Sequence, residues 1–151
     1  MTPLLVRGRK VREQVPATIS CEIGLRLLAS EGALPLVAQL RYDAADPYAV
    51  EALFDTGADT PVRWVFARDL LSDGLARAAG EGDVIVRPAL DEDGSAAVHL
   101  VLASPDGRAM LEANSEELRE FLDQTYGVVP RGSESERVDI DAELLSLLGT
   151  P

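Results

Sequence analysis

EALFDTGADTPV, running from Glu51 to Val62, sets an Asp-Thr-Gly triplet between two apolar runs, and its two readings lead to different proteins. In one, Asp55, Thr56 and Gly57 form the catalytic loop of a retroviral-type aspartic peptidase. In the other they turn the chain between neighbouring strands. The flanks favour strands: Ala49 to Phe54 alternates with Val50, Ala52 and Phe54 on one face, and Val62 to Phe66 with Val62, Trp64 and Phe66. Between them Asp55 can accept a backbone N–H bond, Gly57 can take a positive φ without steric cost, and Pro61 marks the returning strand.

Peptidase chemistry asks for more than a triplet. Two aspartates must share one proton, one activating water while the other polarises the carbonyl, so a chain with a single such loop must dimerise. A flap and a later apolar-apolar-Gly brace ahead of a helix belong to the same resemblance. Neither is present: "SLLGTP" ends the sequence, and the acidic "LDEDGSAA" is a poor flap. Asp55-Thr56-Gly57 is therefore expected to be a turn, and no catalytic, cofactor-binding or metal-ligating residue is assigned. His99 has no neighbouring histidine or cysteine to complete a metal site, and the single cysteine, Cys21, lies in an alternating apolar stretch as a small buried side chain.

Charge is uneven along the chain. Net charge is −12 with a pI near 4.4. Of the 14 basic residues, Arg7, Arg9, Lys10 and Arg12 precede the first acid, so the remaining 10 face 26 acidic residues, a balance of −16. Residues 1–16 read as a flexible basic arm and 17–151 as one domain. Such a body repels polyanions. The N-terminus carries charges where a signal peptide needs its apolar stretch, and no apolar run reaches membrane-spanning length, which points to a cytoplasmic protein without direct membrane insertion.

The rest of the chain alternates and then turns helical. Thr18 to Ala29 puts Ile19, Cys21, Ile23, Leu25 and Leu27 on one face, "EGALP" turns, and Leu34, Leu36, Ala38, Leu40 and Tyr42 continue the period until "DAADP". A short helix follows at "ARDLLSDGLA". Strands are expected at Val84–Val86, Val98–Leu102 and "RAMLEA", with "RPALDEDGSAA" and "SPDG" as loops. Asn114 or Ser115 caps a helix whose apolar side is Leu118, Phe121, Leu122 and Tyr126. After the polar connector "GVVPRGSESERVD", Asp139 or Asp141 caps a last helix. Its Leu144, Leu145, Leu147 and Leu148 are too apolar for exposure on a monomer and are assigned to an oligomer interface. The class is α+β: an antiparallel sheet, a short mid-chain helix and two C-terminal helices.

A longer likeness follows from these same residues. "LRYDAADPYAVEALFDTGADTPVRWVFARDLLSDGL" (Leu40–Leu75) strongly resembles the SsgA-like sporulation and cell division proteins of actinobacteria, the SsgB-like subfamily in particular. "ISCEIGLRLL", "GEGDVIVRPA", "LASPDGRAMLEA" and "VDIDAELLSLL" extend it from about Thr18 to Leu148, while the arm through Pro16 departs from the pattern. The resemblance implies a non-enzymatic regulator that recruits the tubulin-like protein FtsZ to future septa with an SsgA-type partner. It also implies a whirly-like fold assembled as a bell-shaped homotrimer. Whirly proteins bind single-stranded nucleic acid, which needs a basic groove with exposed aromatics. Trp64, Phe54 and Phe66 sit instead on faces assigned to the core, so no nucleic-acid partner is expected.

Overall fold

The computed structural model describes residues 18–57 and 59–136. Seven strands lie in chain order: β1 (Thr18–Ala29), β2 (Gly32–Asp43), β3 (Ala49–Asp55), β4 (Val62–Ala67), β5 (Val84–Leu90), β6 (Ala96–Ser104) and β7 (Gly107–Asn114). Helix α1 (Arg68–Gly74) follows β4, and α2 (Ser115–Val128) follows β7. All seven strands form one antiparallel sheet in the order β4-β3-β2-β1-β7-β6-β5. Two meanders, β1–β4 and β5–β7, are thus joined through a single non-local pair in which Leu25–Leu28 of β1 meet Met110–Ala113 of β7.

Alternation builds the core as the sequence predicts. Ile23, Leu25, Ala38, Leu40, Tyr42, Val50, Ala52, Phe54, Phe66, Val98, Leu100, Leu102, Leu111 and Ala113 all join one buried cluster. The helices close it with Leu71 from α1 and Leu118, Phe121 and Leu122 from α2. Asn114 is the N-cap of α2, its side chain accepting from the Glu117 N–H at 2.9 Å. Gly74 lets α1 approach the sheet, because a Cβ there would lie 2.1 Å from Val86 Cγ1.

Three expectations need correction. The β1–β2 loop is tighter than "EGALP": Ala29 pairs with Gly32, leaving Ser30 and Glu31 as the turn, and Pro35 lies inside β2 opposite Arg26. The proline is accommodated because β3 pairing begins only at Val37, so no ladder donor is needed there. Likewise β5 runs through Pro88 to Leu90, and the loop shrinks to Asp91–Ser95, where Asp91 Oδ1 accepts from the N–H groups of Asp93 and Ser95. β5 is an edge strand, so a missing donor can face outward. In the expected connector, Glu134–Glu136 are already helical. The last helix with Leu144, Leu145, Leu147 and Leu148, and the basic arm, lie outside the described residues.

Candidate functional site

Asp55 closes β3 and its Oδ1 accepts the Gly57 N–H at 3.0 Å, in an exposed turn where Gly57 has φ +86°. The carboxylate is thus used locally, as a turn requires. Asp59 lies across the same shallow concavity, with Glu22, Gln39 and Pro61. These side chains line an open surface of the sheet.

The densest polar arrangement is one that sequence reasoning missed. Arg68, the first residue of α1, is completely buried. Its guanidinium lies 4.0 Å from the Tyr126 ring centroid and 4.9 Å from that of Tyr42, a cation held by two aromatic faces. Nη1 donates to the Thr125 carbonyl at 3.1 Å and Nη2 to Glu134 Oε2 at 2.8 Å. Nε has no acceptor among the described residues. Burial works against the Glu134 carboxylate, yet Arg68 and the Gly132 N–H, 2.8 Å from Oε1, hold its pKa below the ordinary value.

A second clasp lies beside the first. Arg131 reaches Asp73 at 3.0 Å and Asp69 at 3.5 Å, both on α1. Tyr126 donates to Asp69 Oδ1 at 2.8 Å, and burial together with that bond pushes its phenol up to about 12. Residues 131–134 are therefore strapped onto α1 by three ion pairs, the buried Arg68–Glu134 and the two that Arg131 makes at the surface. No short motif announces this, because Arg68 and Glu134 are 66 positions apart; an arginine on the face of α1 that also carries Leu71 was the available hint.

On the opposite face of the sheet, Arg26, Glu112, His99 and Arg87 fall in one row across β1, β7, β6 and β5. Glu112 is buried and serves both neighbours, Arg26 at 3.2 Å and His99 at 3.0 Å. His99 thus has a structural partner. Cys21 is half-buried, and burial, with Glu117 nearby, raises its thiol pKa. No group of three or more potential metal ligands occurs among the described residues. Phe54 and Phe66 are in the core as expected; Trp64 shares their face and stacks on Phe66 at 6.1 Å, but is only partly buried because β4 is the sheet's edge.

Among the described residues, no helix is long and apolar enough to cross a membrane. A family model described as Streptomyces sporulation and cell division protein, SsgA, matches residues 36–134, ending on the glutamate that Arg68 grips. The sporulation-specific cell division protein SsgB of Streptomyces coelicolor is 52% identical over 132 residues, covering 87% of this chain and 96% of the relative. SsgB of Thermobifida fusca is 48% identical over 128 residues, 84% and 92% of the two chains. Solved structures agree. One, from work correlating mutations in SsgB with longitudinal cell division during sporulation of S. coelicolor, matches with a TM-score of 0.77 at 50% identity, covering 82% of this chain and 98% of that one. The SsgA-like sporulation-specific cell division protein of T. fusca YX-ER1 matches with a TM-score of 0.81 at 45% identity, covering 89% and 98%.

Proposed function

The chain belongs to the SsgA family of sporulation and cell division proteins, and from that premise we propose that it acts in sporulation-specific septation as a non-enzymatic, SsgB-like regulator that recruits FtsZ to septum sites. The observation that carries this is identity near one half along almost the whole length of several SsgB relatives. The local geometry fits a protein that works by contact: the Asp55 carboxylate is engaged in its turn, and the densest polar cluster straps the chain to itself. In this proposal the protein is a homotrimer at the septum, working with an SsgA-type partner. Leu144, Leu145, Leu147 and Leu148 supply apolar contact between copies, which multiplies a weak FtsZ-binding surface by avidity.

Order of arrival tests it. A fluorescent fusion of this chain, produced in sporulating hyphae of a Streptomyces strain lacking SsgB, is expected to form regularly spaced foci before FtsZ rings appear and to restore septa. Foci that form only on existing rings would contradict recruitment.

A further inference from the structure

Beyond α2 the chain is held in a way that no described strand or helix is. Each of those elements sends at least one apolar side chain into the buried cluster, from Ile23 of β1 to Leu118 of α2. Val129, the C-cap of α2, is the last described residue to do so, and its N–H donates to the Thr125 carbonyl at 3.0 Å. Residues 130–136, PRGSESE, carry no large apolar side chain, and among them only Glu134 is buried. Their backbone bonds are internal: Ser133 N–H to the Pro130 carbonyl at 2.9 Å and Glu136 N–H to the Ser133 carbonyl at 3.2 Å. Polar side chains tie them to the body, Glu134 to Arg68 and Arg131 to Asp69 and Asp73.

A segment with little buried apolar surface opens locally at a lower free energy than the core does. The two ties that close this one are unequal. Arg131 is about half exposed, and ion pairs at such exposure contribute little. The Arg68–Glu134 pair lies out of water, where loss of one partner's charge is costly. Its socket does not depend on the segment, because Arg68 is also held by the Thr125 carbonyl and by the rings of Tyr42 and Tyr126. We propose that residues 130–136 are a latch, which opens as one unit when Glu134 separates from Arg68 while the sheet and α2 stay folded. Closed, the latch fixes where residues 137–151 leave the body; open, it leaves them on a loose tether. Assembly through Leu144, Leu145, Leu147 and Leu148 is then stronger with the latch closed, since less conformational freedom is lost on association. That last step rests on the role proposed for those leucines; the opening itself does not.

The experiment follows backbone amide exchange by NMR in the full-length protein at low urea concentrations, with analytical ultracentrifugation of the same samples. The amides of Gly132 and Ser133 are expected to exchange more slowly than in a free peptide of residues 128–138, yet with no dependence on urea, whereas Val86 and other sheet amides depend on it steeply. Glu134→Gln keeps the shape and an accepting oxygen but removes the charge. It should speed exchange at Gly132 and Ser133 by about tenfold or more while leaving the sheet's chemical shifts in place, and should move the sedimentation profile toward monomer. Arg131→Gln touches only the surface tie, so it should change that exchange by less than about threefold and leave assembly as in the wild type. A single urea dependence shared by the segment and the sheet would overturn the proposal, by making residues 130–136 part of the cooperative core. Unchanged exchange in Glu134→Gln would overturn it too, and a released segment with unaltered assembly would overturn its link to the leucines. A monomeric wild type would remove the trimer reading and that link with it, while the exchange data would still decide the latch.

Discussion

Asp55 shows how far a single residue can be read from its neighbours. Its role as a turn acceptor follows from an aspartate two positions before a glycine between alternating runs, all local chemistry, and the 3.0 Å bond to the Gly57 N–H is that interaction. Asp55→Asn keeps the accepting oxygen and is expected to change stability by less than about 0.5 kcal/mol in urea unfolding. Gly57→Ala should cost about 1 kcal/mol, because φ +86° strains any Cβ. Trp64 was legible in direction and not in degree: alternation gives its face, but only the strand order puts it on an edge. Phe66→Ala is therefore expected to cost roughly 3–5 kcal/mol as a fully buried aromatic. Trp64→Ala should cost less than that, and Arg63→Ala least. An Arg63→Ala loss equal to that of Phe66→Ala would mean the β4 register is inverted.

Elements divide by the range of the contacts that define them. β1 through β4 could be drawn from the sequence because each pairs with its neighbour in the chain and buries one face, whereas the β1–β7 seam joins Leu25 to Ala113 and leaves no periodic trace. From sequence alone Pro88 reads as a breaker, and β5 runs through it only because the strand lies at the sheet's edge. The strap from α1 to residues 131–134 is long-range in the same sense. Removing one partner of the buried Arg68–Glu134 pair strands a charge among aromatic rings, so Arg68→Met or Glu134→Leu alone should cost about 3–5 kcal/mol, and the double variant should recover a large part. Additive losses in that cycle would show the two side chains to be uncoupled. The Glu134 pKa is lower folded than its unfolded value near 4.5, so its contribution is present above that pH and declines as pH falls through the folded pKa. Wild-type stability should accordingly drop more steeply below pH 4.5 than that of Glu134→Gln, measured by urea unfolding across that range.

For the whole molecule, membership of the SsgA family of sporulation and cell division proteins is the ground on which the proposal of a regulator working by contact rests, and the strong net acidity is in keeping with it. The family could be recognised from a continuous run such as Leu40–Leu75, but a contact surface has no signature like that of a metal cluster, so no contact residue could be read from the sequence in the same way. Leu144→Glu with Leu148→Glu is expected to dissociate the proposed trimer in analytical ultracentrifugation and to weaken filament binding in parallel; a variant that keeps both would contradict the role given to those leucines. Recruitment itself is tested most directly by co-sedimenting the purified full-length protein with GTP-assembled FtsZ at near-physiological salt. Saturable appearance of the protein in the FtsZ pellet, above its level with unassembled FtsZ, is the predicted result; a protein that stays in the supernatant across the titration would contradict direct recruitment.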